Sequence, residues 1–416
     1  MEELYEFIGV GAGVFNLSLA ALLEDKGHSN YVFLDKKSQF SWHGDMMLPK
    51  TEMQTDPIKD IVTPVEPTNR FSFLNYLQER GILYQFFNRK GHATTRKQFS
   101  EYLKWAANGI KSIQYSVDVT SINYEDNQFF VETDKGRYLR SKHLVLGCGI
   151  KLKFPACAEP KNISSYHHSA AHMKYKKKYD GRKVAIIGGG QSGAEIFYDI
   201  ISNDQPESIS WFSGRSHIAP LEDSCFSNEI YTPEYIAKFY TLPAEKKEKL
   251  NREFLYTSDG VTQSLSDAIY NELFENKYFL GVDTNYNVKV SSRLIEVEEL
   301  NEGYKIFVKC QLTSEVSEYI VDDLIFATGY TTRYQSLLSN VSANHSELNE
   351  PEICEDYSIN WRHSATNKIY VQNGAKHTHG VSDPNISLAA WRASVIANSL
   401  FGEELFKMSR EALINF

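Results

Sequence analysis

Two glycine-rich segments limit what this chain can fold into more than any other feature of its sequence. The first is Phe7-Ile8-Gly9-Val10-Gly11-Ala12-Gly13-Val14-Phe15-Asn16, which runs on into the apolar stretch Leu17 to Leu23. The second is Val184-Ala185-Ile186-Ile187-Gly188-Gly189-Gly190-Gln191-Ser192-Gly193-Ala194-Glu195. Each joins a β-branched run to a helical pattern, as in a strand that turns at once into a helix. Glycines allow the tight turn and let the backbone approach a pyrophosphate, which rests on the positive N-terminal end of the helix. One such segment is weak evidence; two predict a protein that brings two dinucleotides together. The expected contacts are Gly9, Gly11 and Gly13 at the first turn, and Gly188, Gly190, Gln191, Ser192 and Gly193 at the second. The first turn departs from the usual fingerprint at Val14, where a third glycine is common.

The residues beyond each turn separate the two nucleotides. After the first, Tyr31-Val32-Phe33-Leu34-Asp35 reads as a strand ending in a carboxylate, near the ~20-residue spacing of an acid on a ribose hydroxyl. After the second, Ser208-Ile209-Ser210-Trp211-Phe212-Ser213-Gly214-Arg215-Ser216 ends in hydroxyls and an arginine. A carboxylate there would repel a ribose 2′-phosphate, whereas Ser213 and Arg215 suit one. Asp35 therefore assigns FAD to the first turn, and Arg215 assigns NADPH, rather than NADH, to the second.

Composition excludes several other classes. A chain of 416 residues with 25 Tyr and 24 Phe has ample material for a core and is not disordered. Its net charge of −9 gives no broad basic face for nucleic acid. The one basic run, Lys174-Tyr175-Lys176-Lys177-Lys178, reads as a solvated connector. The five cysteines form no C-x-x-C pair, which favours free thiols in a reducing compartment. Acids at Glu2, Glu3 and Glu6 replace the basic region of a signal peptide, and no run of ~18 apolar residues occurs, so a cytoplasmic protein with no membrane span is expected. His167, His168 and His172 have helical metal-ligand spacing but no acidic or cysteine partner, so they read as a solvent-exposed cluster, and no metal is expected.

Strands and helices alternate along the chain, so the expected fold is α/β, with two Rossmann-like dinucleotide-binding domains and a small helical substrate-binding insert. Residues 1–170 read as the first part of the FAD domain. Residues 171–325 read as the NADPH domain, with the helical insert at about 219–275. Residues 326–416 return to the FAD domain, and the tail covers the flavin.

With these parts placed, the chain resembles the flavin-dependent N-hydroxylating monooxygenases of siderophore biosynthesis, the lysine N6- and ornithine N5-hydroxylases and their diamine-using relatives. The resemblance rests on Gly9-x-Gly11-x-Gly13-x-Phe15-Asn16-Leu17, Phe40-Ser41-Trp42-His43, Met53-Gln54, Lys59-Asp60-Ile61-Val62 and Pro67-Thr68-Asn69-Arg70-Phe71-Ser72-Phe73. It continues through Asn228-Glu229-x-Tyr231-Thr232-Pro233-Glu234-Tyr235, Phe326-Ala327-Thr328-Gly329-Tyr330, His379-Gly380 and Ile386-Ser387-Leu388. Thr257-Ser258-Asp259-Gly260 is similar to the lysine-hydroxylase branch.

The resemblance implies that NADPH reduces the flavin, dioxygen adds to give a C4a-hydroperoxide, and the substrate amine attacks its distal oxygen. The implied substrate is a primary amine on a short aliphatic chain, L-lysine or a diamine such as putrescine or cadaverine, with L-ornithine or histamine as alternatives. Sulfur or ketone oxidation by the same peroxide is the rival from another class. Gln54 matches a residue whose amide lies near the reactive edge of the flavin. Lys59 matches the lysine that binds an amino acid's carboxylate, and Asn228 matches a substrate-binding asparagine. Ser258 replaces a second asparagine of the ornithine enzymes, which weakens the case for ornithine. Asp259 is expected either to bind a cationic amine or to cap a helix. Asn16, Trp42, His43, Thr328, Gly329, Tyr330, Ser387 and Leu388 are the further cofactor contacts implied. His377 and His379 fall in the turn facing the flavin by resemblance, with backbone capping as the alternative to acid–base work. A homo-oligomer, dimer or tetramer, is also implied.

Overall fold

The computed structural model of the chain describes residues 4–89, 93–280, 285–409 and 412–414. Two sheets organise it. In the first, the strands run in the order Ile113–Tyr115, Tyr31–Asp35, Leu4–Val10, Tyr138–Leu146, Gln128–Thr133, Val119–Glu125. The first four are parallel, and the last two form an antiparallel meander on Tyr138–Leu146. The late strand Ile369–Val371 pairs in parallel with Leu144–Leu146, beyond the point where the meander stops. The tail of the chain thus returns to the first sheet.

The second sheet is parallel throughout, in the order Tyr286–Lys289, Ser208–Phe212, Lys183–Ile187, Asp323–Phe326, Tyr166–His168. It takes in Tyr166–His168, ahead of residue 171. A separate antiparallel meander, Ser292–Glu299, Tyr304–Cys310 and Val316–Val321, precedes its fourth strand. The chain crosses between the sheets twice, and the crossings run antiparallel as Ile150–Leu152 and Tyr330–Thr332.

Helix Val14–Asp25 is apolar on nearly every face because it is covered on both sides, by its own sheet and by helix Ala389–Phe401. Helix Arg96–Gly109 starts with a capping box, Thr95 with Gln98, and buries Phe99, Tyr102, Leu103 and Ala106. Between them lies the irregular segment 36–72, fixed by polar anchors rather than by repeating structure. The Asp60 carboxylate accepts from Val62, Thr63 and Phe73 N–H (2.8, 2.6 and 2.6 Å), and Ser18 Oγ donates to the Ile61 carbonyl (2.5 Å).

The helical insert is divided between the two cores. Helix Pro233–Tyr240 buries Tyr235, Ile236 and Phe239 in the first core, whereas helix Gln263–Tyr278 packs on helix Gln191–Asn203 of the second. Two surface expectations are corrected. The basic run is only in part a solvated connector: Lys174 and Lys178 are exposed, but Lys176, Lys177 and Lys178 each pair at 2.7 Å, with Asp199, Asp323 and Asp204. His167, His168 and His172 are buried, not exposed, and His167 Nε2 lies 3.3 Å from His172 Nδ1. Helical spacing misled here because His167 and His168 end a strand. Among the described residues no helix is long and apolar enough to cross a membrane.

Candidate active site

At the first turn Gly11 has φ +86°, and a Cβ there would lie 2.4 Å from the Gly147 carbonyl oxygen. Gly9 faces the Phe33 ring at 2.1 Å by the same measure. Gly13, the residue before the helix, differs: a Cβ there meets no protein atom within 4 Å, and no side chain caps the helix. An open cradle at an uncapped helix N-terminus fits a pyrophosphate. Asp35 closes the turn, accepting from Ala12 N–H (2.7 Å) and Lys37 N–H (2.8 Å). Asn16 lies beneath the turn and is buried. It donates to the Val10 and Gly11 carbonyls and accepts from Gln372. Expected as a cofactor contact, it is placed as a brace of the turn.

The second turn repeats the pattern. Gly188 has φ +131° beside the Ala327 carbonyl, and Gly193 packs against the Gly188 carbonyl and Trp211. Gly190 precedes an uncapped helix with no atom nearer its Cβ position than the Asp259 carbonyl at 4.0 Å. Ser213 is buried beside Gly189, and its Oγ accepts from the Arg215 N–H at 3.1 Å; expected as a cofactor contact, it is placed as a brace of Arg215. Both turns therefore keep the space and donors that a dinucleotide requires.

Beside the second turn, between elements of the two cores, lies a cavity of about 320 Å³. Trp42, His43, Met53 and Gln54 from segment 36–72 line it, with Gln191 and Ser192 from the second helix start and Tyr330 from the crossing. The insert adds Glu222, Asp223, Asn228, Tyr231, Thr257, Ser258 and Asp259, and the tail adds Pro384, Asn385 and Ile386. A larger groove of about 810 Å³ lies along helix Gln191–Asn203; Lys50 lines it together with Lys176, Lys177 and Lys178, and these last three already hold Asp199, Asp323 and Asp204.

The cavity is strongly acidic. Glu222, Asp223 and Asp259 line it, and the cation on its wall, Arg96, is bound in a fork to Glu195 at 2.8 and 2.6 Å. Asn228 Nδ2 donates to Asp223 (2.7 Å), and Ser258 Oγ donates to Asp259 (3.0 Å), so both neighbours orient carboxylates. Enclosure, then the Arg96 and Lys37 charges, lower the His43 imidazole to about 4, although the ring is open to the cavity. Burial raises the Tyr231 and Tyr330 phenols, so both remain neutral donors.

Several expected residues lie elsewhere. Lys59 is exposed on its loop and does not line the cavity. Ser387 and Leu388 are buried behind Ile386, and the Thr328 hydroxyl donates to the Lys153 carbonyl. Gly329 accepts from His168 Nε2 (3.1 Å), whose Nδ1 accepts from Ala170, so the imidazole is the neutral Nε2-protonated form. His379 is buried, stacked on Tyr357 at 4.1 Å, and serves the fold rather than acid–base work. Arg96, Glu222, Asp223, Thr257 and Asn385 were not anticipated from sequence. The adjacent acids Glu222 and Asp223, just past Arg215, were the one signal available.

Two sheets, two open glycine cradles and a cavity lined from both halves of the molecule define an oxidoreductase fold built for two dinucleotides. The profile of the L-lysine 6-monooxygenase/L-ornithine 5-monooxygenase family matches residues 3–332, and the chain belongs to this family. It is 32% identical to the L-lysine N6-monooxygenase of Escherichia coli, over 98% of this chain and 97% of that one. The cadaverine monooxygenase of the desferrioxamine pathway of Erwinia amylovora, solved with FAD, superposes with a TM-score of 0.92 at 31% identity, covering 99% of this chain and 98% of that one. The ornithine N-hydroxylase of Kutzneria sp. 744, solved with reduced FAD, NADP⁺ and L-ornithine, gives 0.89 at 25%, covering 96% and 99%.

Proposed function

We propose that this chain is an FAD- and NADPH-dependent N-hydroxylase of a primary amine, and that its substrate is a short aliphatic diamine, supplying a hydroxylamine for a siderophore. The observation that carries the substrate is the charge of the cavity. Lysine would bring a carboxylate against Glu222, Asp223 and Asp259, with Arg96 already neutralised by Glu195 and Lys59 outside the wall. A diamine brings an ammonium, which these carboxylates hold by charge-assisted hydrogen bonds. The cadaverine of the Erwinia relative has this form.

Bound FAD, once reduced by NADPH, supplies oxygen activated for transfer to the amine nitrogen. Gly13 and Asp35 would hold the flavin nucleotide, and Gly190 and Arg215 would hold NADPH. Asp223 and Asp259, oriented by Asn228 and Ser258, fix the far ammonium and so aim the other nitrogen toward Gln54, Trp42 and His43. Trp42, Met46, Met53 and Tyr330 also line the cavity; such aromatic and apolar groups favour the neutral amine that can attack.

The test compares cadaverine and putrescine with L-lysine and L-ornithine, scored by hydroxylamine product. Cadaverine or putrescine should have the highest kcat/KM. Asp259→Asn should lower it roughly tenfold, as expected for a lost hydrogen bond to charge, while leaving any lysine activity unchanged. Preference for lysine, with Asp259→Asn without effect on cadaverine, would overturn the diamine reading.

A further inference from the structure

Arg215 joins the second dinucleotide turn to the wall of the amine cavity. Its N–H donates to Ser213 Oγ (3.1 Å), its Nη1 donates to the Asp259 carbonyl (2.7 Å), and its guanidinium lies 5.3 Å from the Tyr256 ring centre. The segment so held, Tyr256–Asp259, is a single helical turn that presents Thr257, Ser258 and Asp259 to the cavity.

This turn does not stand alone. Glu222 N–H donates to the Tyr256 carbonyl (3.1 Å), Val261 N–H to Ala219 (2.9 Å), and Leu221 N–H to Val261 (2.7 Å). A Cβ on Gly260 would fall 2.4 Å from Leu221 Cα, so the two backbones are in direct contact. Segments 219–222 and 256–261 are therefore packed as one unit. That unit carries Glu222 and Asp259, with Asp223 next in the chain, so the carboxylate wall is tied to one guanidinium.

We propose that Arg215 is a positioning residue for the amine: a 2′-phosphate bound at Arg215, whose backbone is held by the buried Ser213, fixes the guanidinium, the Asp259 carbonyl and, through them, the carboxylates of the cavity. The proposal rests on the reading of Arg215 as the 2′-phosphate contact. A guanidinium has five donors in a rigid fork, enough to serve a phosphate and the Asp259 carbonyl together. NAD⁺ carries the same nicotinamide and pyrophosphate but lacks that phosphate. Amine binding is therefore tighter with NADP⁺ than with NAD⁺, and by linkage the amine raises the ratio of NADP⁺ to NAD⁺ affinity by the same factor.

The experiment uses the holoenzyme with oxidised FAD and measures the Kd of cadaverine by calorimetry, alone and with saturating NADP⁺ or NAD⁺. The expected result is binding at least about fivefold tighter with NADP⁺ than with NAD⁺, together with slowed hydrogen exchange over residues 256–261 with NADP⁺ only. Arg215→Ala should abolish the difference. Arg215→Lys, which keeps a charge but loses the fork, should retain part of the NADPH preference and lose the effect on the amine. Equal cadaverine affinity with both dinucleotides, or an NADP⁺ effect that survives Arg215→Ala, overturns the proposal. The ratio of NADPH to NADH efficiency separates the two readings. If Arg215→Ala lowers that ratio while the wild-type amine Kd values are equal, the phosphate contact stands and the link to the amine falls. If the ratio is unchanged, both fall.

Discussion

Arg96 and Glu195 pair across the cavity wall, and breaking the pair should cost far more than an ordinary surface ion pair. Their side chains are only 15% and 3% exposed, and the fork uses both carboxylate oxygens. Glu195 also accepts from Gln191, which in turn accepts from the Thr262 N–H at the start of helix Gln263–Tyr278. One pair thus connects helix Arg96–Gly109 of the first core, the start of the second dinucleotide helix and the insert. Removing either partner strands a buried charge, at about 3–5 kcal/mol; removing both with apolar residues of similar size leaves no stranded charge. Arg96→Met and Glu195→Met should each lower the urea midpoint of the holoenzyme strongly. If independent, the double variant would cost roughly 6–10 kcal/mol, whereas the expected cost is below about 5. The same loosening should slow flavin reduction at saturating NADPH by up to roughly 100-fold, since small misplacements of reacting groups carry penalties of that size. Additive single and double losses would refute this reasoning.

Two glycines of the first turn should fail in opposite ways. Gly9→Ala drives a methyl into the buried Phe33 ring and should destabilise the fold by about 1–3 kcal/mol, seen as a lower melting temperature. Gly13→Ala enters the open cradle at an ordinary φ of −72°, so the fold should persist while the purified protein loses FAD; full FAD content would count against that cradle. Burial pushes His143 and His168 down to about 4 and His172 and His379 to about 3, from an ordinary 6.5. Between those values the unfolded chain binds protons that the folded chain does not. Stability is therefore full above pH 6.5 and falls as the pH drops toward 4, by up to roughly 1.4 kcal/mol per pH unit for each histidine. Urea midpoints at pH 7 and pH 5 test this, and equal midpoints would contradict it.

What the sequence revealed, and what it hid, follows from range. The two glycine turns were legible because strand, glycines and helix are contiguous. The ends of the following strands, Asp35 and Arg215, were legible for the same reason. The Arg96–Glu195 pair spans 99 residues, and neither residue carries a local mark of its partner. The ion pairs of Lys176–Lys178 were hidden because Asp199, on a helix, Asp204, at its end, and Asp323, on a strand, meet the run only in the folded domain. Lys59 is placed by a different cause. Its neighbour Asp60 takes the buried anchoring role in the motif, leaving the lysine on the outside of the loop.

The central claim is oxygen transfer to the nitrogen of a diamine, and its most direct test is the amount of N-hydroxycadaverine formed per NADPH consumed under ¹⁸O₂. The expected result is a ratio close to one, with labelled oxygen in the hydroxylamine. NADPH consumption that yields hydrogen peroxide and no labelled hydroxylamine, with cadaverine and putrescine alike, would contradict it.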